Sequence, residues 1–262
     1  MAFWNLETRF KMSAYENFSR VYDKFMSDTP YDEWIDYIKK IWKKYSLSPK
    51  LIAELGCGTG NITQRLANMG YDMIGIDYSE NMLSEAREKN TENQTEILYL
   101  EQDMRELELY GTVDCILSLC DSINYILEED DLLTVFKLVN NYLDPKGLFI
   151  FDLNTIYKFK NILGQNSFSQ TDENSAYTWE NYFDEEENIN EYYTNFFIQD
   201  DSTGLYERFE EEHYEKGYEI ETIKNLLNKA GLEFIAVFNE LTFDPPTDKS
   251  QRIFFVAREN GK

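Results

Sequence analysis

The chain has 262 residues, 42% of them hydrophobic, and 49 acidic against 25 basic residues give a formal net charge of −24. Such a surface repels phosphate backbones and argues against a nucleic-acid substrate. There is no apolar run of the roughly 18 residues that a membrane helix needs, and one His with three cysteines, none in a Cys-x-x-Cys pair, makes no zinc pattern.

At the N-terminus, Glu7, Arg9 and Lys11 interrupt any apolar signal-peptide core. Met1 and Met12 both stand open as starts. Cys57, Cys115 and Cys120 then read as reduced thiols of a cytoplasmic protein. Tyr15, Phe18, Tyr22 and Phe25 recur at helical spacing. Residues 31–45 read as an amphipathic helix with Trp34, Ile35, Ile38, Ile41 and Trp42 on one side. From Leu51 to about Asn154, strand-like and helix-like segments alternate, the signature of a parallel sheet with crossover helices.

The pattern changes after that. Aromatic runs at 177–183, 192–198 and 206–209 are separated by polar turns at 184–188 and 200–204. They predict a three-stranded antiparallel meander. A helix at 220–230, stopped by Gly231, a strand at 232–238 and a last strand at 253–258 resume the earlier alternation. A meander inserted after the fifth strand lies at the carboxyl edge of the parallel strands, where ligands bind in such folds. It is expected to be a lid or substrate wall, or else a cover for apolar surface.

The most informative stretch is Ala53-Glu54-Leu55-Gly56-Cys57-Gly58-Thr59-Gly60. Glycines at alternate positions, where a strand meets a helix, let the backbone take positive φ and let a ligand approach the main chain. Asp77 ends the next apolar run nineteen residues after Gly58, close to the spacing at which a carboxylate meets a ribose. The dinucleotide fingerprint G-x-G-x-x-G is not met, because position 61 is Asn. Nor does a Gly-Lys-Ser/Thr phosphate loop follow. Glu54 would repel a pyrophosphate and suit an ammonium or sulfonium group. Charge therefore favours a nucleoside with a cationic tail over NAD or ATP.

ELGCGTG followed by GIDYSENML resembles motifs I and II of the class I S-adenosylmethionine-dependent methyltransferases. The likeness continues in order through Leu100-Glu101-Gln102-Asp103-Met104, then 114–122 and 143–152, and covers about residues 12–258. The chain is similar to small bacterial, including clostridial, enzymes that methylate small molecules, aminosugar N-methyltransferases among them. The resemblance implies an α/β fold with a doubly wound, mostly parallel, seven-stranded Rossmann-like sheet and an antiparallel β insert after strand 5. It implies helices covering the cofactor site at 1–45, a cofactor-binding core at 46–154 and 216–262, and a β lid or substrate subdomain at 155–215.

The resemblance also implies S-adenosyl-L-methionine as cofactor and S-adenosyl-L-homocysteine as product. Gly56, Gly58 and Gly60, with Glu54, Cys57 and Asn61, are expected around the methionine part. Asp77 is expected to take both ribose hydroxyls, leaving Ser79 to cap the next helix. Tyr78 and Met82 belong near the adenine or in the core. Gln102 and Asp103 are expected near the adenine amino group with Met104 beside them, although Asp103 also reads as a solvated loop acid. Leu119 and Cys120 complete the cofactor set. Tyr15 and Tyr22 match tyrosines that close over the cofactor, or simply pack within a helix.

On the acceptor side, Asp121, Asn124, Asn154, Tyr157, Trp179 and Arg208 are expected to line the pocket. Tyr125 falls where the family carries a polar group near the acceptor. A phenol with a pKa of ~10 is a poor base at neutral pH, which favours orientation over deprotonation. His213, the single imidazole, is either catalytic or structural. The reaction implied is in-line methyl transfer to a small-molecule nitrogen or oxygen nucleophile, with no metal, nucleic acid or membrane. The alternatives are a methyltransferase for a protein or RNA component and a binder without turnover. The oligomeric state and the acceptor are not legible.

Overall fold

The computed structural model describes residues 19–26, 29–200 and 202–262. Tyr15 lies outside the described residues. Helix α1 (Ser19–Phe25) and helix α2 (Tyr31–Lys44) precede the sheet. Helix α2 buries Trp34, Ile35, Ile38, Ile41 and Trp42 along one stripe. Asp32 and Glu33 in its first turn and Lys43 and Lys44 in its last complement the helix dipole.

Strands β1 (Leu51–Leu55), β2 (Asp72–Asp77), β3 (Leu98–Glu101), β4 (Val113–Ser118) and β5 (Leu143–Asn154) follow. Helices α3 (Asn61–Asn68), α4 (Glu80–Asn93) and α5 (Glu129–Tyr142) alternate with them. The chain then leaves for β6 (Ser167–Thr171), β7 (Ser175–Asp184), β8 (Ile189–Gln199) and β9 (Tyr206–Lys216). It returns through α6 (Ile220–Lys229), β10 (Leu232–Asn239) and β11 (Arg252–Glu259).

The main sheet has seven strands in the order β10-β11-β5-β4-β1-β2-β3. From β5 to β3 all neighbours are parallel, and β11 runs antiparallel to both β5 and β10. The doubly wound, mostly parallel sheet with its insertion after the fifth strand is thus present. Because helices cover both faces, the central strands read as continuous apolar runs. One core holds Phe136, Phe149, Phe151 and Leu226, and the other holds Ile38, Ile41, Leu66 and Phe254.

The insertion is a four-stranded antiparallel sheet, β6-β7-β8-β9, not a three-stranded one. The extra strand β6 is exposed along its whole length and polar apart from Phe168, so it leaves no apolar alternation to read. Strand β9 runs on to Lys216 through an acidic segment. One face of this sheet carries cross-strand rows Trp179–Thr194–Glu211, Asn181–Tyr192–His213 and Phe183–Asn190–Glu215. We call it the inner face. The other face carries exposed Tyr182, Tyr193, Arg208 and Glu210. Among the described residues, no helix is long and apolar enough to cross a membrane.

Candidate active site

Between β1 and α3 the chain turns through Gly56, Gly58 and Gly60 with φ of 69°, 53° and 76°. A Cβ at Gly56 would lie 2.5 Å from Ser122 Oγ, and one at Gly60 would lie 2.5 Å from Tyr99 Oη. A Cβ at Gly58 would meet no atom within 4 Å. Packing thus demands glycine at 56 and 60, while Gly58 presents open backbone. The Gly58 amide donates to Asp77 Oδ2 at 2.8 Å and the Ser79 amide to Asp77 Oδ1 at 2.9 Å. Burial lifts the Asp77 carboxyl above its ordinary value against the pull of these donors. Ser79 caps α4, its Oγ accepting from the Met82 amide at 3.3 Å. Below the turn, buried Glu54 accepts from Thr63 Oγ1. Burial pushes the Glu54 carboxyl up to about 8, and Asp77 adds to the effect.

Helix α1 is fastened over this turn. Thr59 Oγ1 and Asn61 Nδ2 donate to Asp23 Oδ1 at 2.6 and 2.7 Å. Lys89 pairs with Asp23, and its Nζ donates to Thr59 O at 2.9 Å. Next to Asp23, partly buried Tyr22 stands near Cys120, Tyr31 and Asp121; burial first and then these groups push its phenol well up. Phe25 meets Tyr177 edge-on at 4.8 Å and Phe196 at 5.6 Å, both on the inner face of the second sheet.

On the β3 side, the Gln102 amide donates to Asp77 O at 2.9 Å. The Gln102 side chain is spent on Glu108, donating to its carbonyl at 3.1 Å and accepting from its amide at 2.9 Å. Asp103 accepts from the Arg105 amide at 2.8 Å and takes its guanidinium at 2.5 Å. Burial raises the Asp103 carboxyl, but its bonds to Arg105 outweigh this and hold it below its ordinary value. Met104 Cε approaches Gly56, 3.7 Å from a Cβ built there. Met82 is buried, whereas Tyr78 is half exposed and stands among Asp77, Glu211 and Asp103.

After β4, Leu119 is buried, and Cys120 and Asp121 both take the left-handed conformation, with φ of 59° and 56°. Such non-glycine residues store about 1–3 kcal/mol each. An ion cluster fastens them. Arg252 Nη2 donates to Asp121 Oδ1 at 2.7 Å and Arg252 Nη1 pairs with Asp152. The guanidinium lies 5.0 Å over Trp34. Burial pushes Asp152 up to about 6, against the pull of Arg252. A cavity of about 350 Å³ opens here, lined by Phe25, Trp34, Cys120, Asp121, Lys158 and Arg252 among others.

The single turn Ser122–Tyr125 links the two sheets. Ser122 Oγ donates to Leu119 O at 2.8 Å and lies 3.3 Å from Gly56 O. Tyr125 Oη lies 2.5 Å from Tyr192 Oη and 3.5 Å from His213 Nδ1. His213 stacks on Tyr192 at 4.7 Å, and its Nε2 is 3.1 Å from Glu211 Oε2. Glu215 accepts from Asn154 Nδ2 at 3.2 Å and is hydrogen-bonded to Tyr192.

Of the expected acceptor-side residues, Tyr125, His213, Asp121, Asn154 and Trp179 come together beneath the second sheet. Trp179 packs 5.6 Å from Tyr192. Asn124 is fully buried and spends its amide on backbone, donating to Asn154 O at 3.1 Å and Lys216 O at 2.7 Å and accepting from Asn154 N at 3.0 Å. It splices the turn to β5 and β9. Tyr157 is partly buried and begins the π-helical turn 158–163. Arg208 is not brought to the site. It lies on the exposed face, with Nη2 2.7 Å from Asn195 Oδ1 and paired to Glu210. Sequence reasoning passed over Asp23, Asp152, Lys158, Tyr192, Glu211, Glu215 and Arg252. The two-residue rhythm of Glu211, His213 and Glu215 was the one signal available for part of this set.

Comparison with known proteins gives the context. A model described as a methyltransferase domain matches residues 52–147, from β1 into β5. A protein of Geobacillus sp. (strain WCH70) named "Putative methyltransferase" is 37% identical over 247 residues, 94% of this chain and 100% of its own. An S-adenosylmethionine-dependent methyltransferase from Clostridium acetobutylicum ATCC 824 is 33% identical in its crystal structure, with a TM-score of 0.85 over 94% of this chain and 99% of that one. The sugar N-methyltransferase KedS8 from Streptoalloteichus sp ATCC 53650 shares the fold at 16% identity, with a TM-score of 0.77 over 100% of this chain and 99% of its own. With the glycine turn, Asp77 and the sheet order all in one chain, and with relatives that match along nearly all of it, the protein belongs to the S-adenosylmethionine-dependent methyltransferases.

Proposed function

We propose that the protein transfers a methyl group from S-adenosylmethionine to a nitrogen or oxygen nucleophile of a small molecule. The observation that carries this is the Ser122–Tyr125 turn. Ser122 rests on Gly56 O of the glycine turn, and Tyr125 meets Tyr192 and His213 on the inner face of the second sheet.

The residues present fit this cofactor. Gly58 offers backbone against which a ligand can lie. The Asp77 carboxylate accepts from the Gly58, Ser79 and Tyr78 amides, which leaves it lone-pair capacity for a ribose hydroxyl. Glu54, expected beside the cationic tail, lies buried beneath the turn with its carboxyl raised to about 8 and spent on Thr63, so it braces the turn and supplies no negative charge to the ligand at neutral pH. Gly56, Cys57, Gly58 and Asn61 would hold the methionine part. Tyr78, Met82, Asp103, Met104 and the backbone of Gln102 would take the adenine side, with Leu119, Cys120 and Tyr22 closing the pocket. When bound, the cofactor supplies a methyl carbon activated by the sulfonium charge.

The chain's own residues then align the nucleophile, exclude water and take a proton. Alignment contributes about 7–11 kcal/mol in favourable cases. Helix α1 and the four-stranded sheet act as the covers that keep water out. The cavity wall carries Asp121 and Glu240 against Arg252 and Lys158, and Arg252 is itself paired with Asp121 and Asp152, so no net positive charge faces the acceptor. This favours a neutral or cationic acceptor. The fold shared with KedS8, which acts on a sugar nitrogen, supports a compact polar acceptor.

Titration calorimetry with S-adenosylmethionine, followed by detection of S-adenosylhomocysteine across a panel of amines, phenols, thiols and carboxylates, tests the proposal. Binding with turnover of one panel member supports it. Binding without turnover on any of them favours a non-catalytic binder, and turnover confined to added protein or RNA overturns the small-molecule reading.

A further inference from the structure

The inner face of β9 presents Glu211, His213 and Glu215 at two-residue intervals, and Tyr192 of β8 lies directly across from His213. Five side chains form an unbroken line. Glu211 Oε2 is 3.1 Å from His213 Nε2, and His213 Nδ1 is 3.5 Å from Tyr125 Oη. Tyr125 Oη is 2.5 Å from Tyr192 Oη, and Tyr192 is hydrogen-bonded to Glu215. The middle member of the line, Tyr125, stands on the turn whose Ser122 touches Gly56, and the line runs from there to both carboxylates of β9. The His213 and Glu211 side chains are only 2% and 5% exposed.

We infer that this line is a proton relay, in which Tyr125 passes the acceptor's proton to His213 and Glu211 is the positioning residue that fixes the imidazole tautomer. The inference rests on the methyl-transfer reading above. With Glu211 as the accepting partner, Nε2 carries the hydrogen and the lone pair sits on Nδ1, facing Tyr125. Stacking on Tyr192 at an interplanar angle of 16° holds the ring in that orientation. A phenol is a poor resting place for a proton at neutral pH, but a good conduit when a base stands behind it.

The step balances. A new bond forms between the acceptor atom and the methyl carbon, and the C–S bond breaks with its electron pair left on sulfur. The acceptor's proton moves to Tyr125 Oη as the phenol's own proton moves to His213 Nδ1. One positive charge thus leaves the sulfonium and appears on the imidazolium, beside the Glu211 carboxylate. In a dry site that ion pair is worth more than in water. Among the described residues, charged and titratable groups facing the relay include Tyr78 after β2, Asp121 after β4, Lys158 after β5, and Glu215 on β9 itself. Burial pushes the Glu215 carboxyl up to about 8, while its bonds to Asn154 and Tyr192 and the charge of Lys158 pull the other way.

His213 is the only histidine in the chain, so its imidazole nitrogens can be read without assignment. The experiment uses tag-free, ¹⁵N-labelled full-length protein with S-adenosylhomocysteine bound, and compares wild type with Glu211→Gln. The expected result is the Nε2–H tautomer in wild type, a tautomer mixture in Glu211→Gln and unchanged S-adenosylhomocysteine affinity. With an acceptor from the panel, turnover should fall about 10²-fold, the usual size of an acid–base contribution, and the pH–rate profile should shift. An Nδ1–H tautomer in wild type overturns the relay. So does a Glu211→Gln protein with wild-type tautomer and pH profile. Tyr125→Phe, which removes one hydroxyl and little volume, is the second variant. It should keep the tautomer and lose turnover, and equal turnover overturns the relay. Failure to bind S-adenosylhomocysteine would instead count against the methyltransferase reading, so the two failures are separable.

Discussion

Asp77 grips the turn that it faces, its Oδ2 accepting from the Gly58 amide at 2.8 Å across nineteen residues of chain. The same carboxylate holds the Ser79 amide where α4 begins. It therefore shapes the pocket besides offering lone pairs to a ligand. Asp77→Ala is expected to weaken S-adenosylmethionine binding by about 1.5–3 kcal/mol, the range for a charge-assisted hydrogen bond. Titration calorimetry checks this, and unchanged affinity would remove Asp77 from the ribose.

Two glycine substitutions should separate packing from ligand approach. Gly60→Ala drives a Cβ to 2.5 Å from Tyr99 Oη and 3.3 Å from Ala86 Cβ, so the melting temperature should drop clearly. Gly58→Ala meets no protein atom and bears only the left-handed penalty of about 1–2 kcal/mol. It should melt closer to wild type while losing most of its cofactor affinity. Equal losses of affinity in folded samples of both variants would contradict the assignment of Gly58 as the approach point.

Glu54 predicts a pH dependence of stability. Its unfolded value is 4.5 and burial raises the folded value to about 8. Between those values the folded protein keeps a proton that the unfolded chain has released, so stability falls as pH rises. The slope is at most about 1.4 kcal/mol per pH unit. Glu215 adds a second decline over the same window. Glu54→Gln should flatten part of it, as measured by urea unfolding from about pH 5 to about pH 8. An identical slope in the variant would sink the attribution.

Arg252→Met should leave Asp121 and Asp152 facing each other without their cation. Removing one partner of a buried charge cluster costs about 3–5 kcal/mol. Asp152→Asn in the same protein should restore part of that loss. Absence of rescue in thermal melts would show that Arg252 acts through its stacking on Trp34 instead.

Much of this molecule is legible where chemistry and spacing are local. The glycine turn, Asp77 at its strand end, Ser79 as a cap and the apolar stripe of α2 each declare themselves within a few residues. The helix ended by Gly231 is equally plain, since Gly231 has φ of 83°. What stays hidden is made by distance or by mixed faces. Arg252 meets Asp121 across 131 residues, and no periodicity announces such a pair. Arg208, Glu211 and His213 share one charged segment, and only strand alternation sends Arg208 to solvent and the other two inward. Asn124, expected to face the acceptor, is consumed by backbone because the turn must be joined to two strands at once. Strand β6 has no apolar alternation because neither of its faces is buried.

Helix α1 touches both halves of the site through residues two apart. Asp23 holds the glycine turn and Phe25 holds the second sheet. The two compartments therefore share one door. A ligand that lifts α1 to enter one of them also unseals the other, which ties the order of arrival and departure of the two reactants to a single motion.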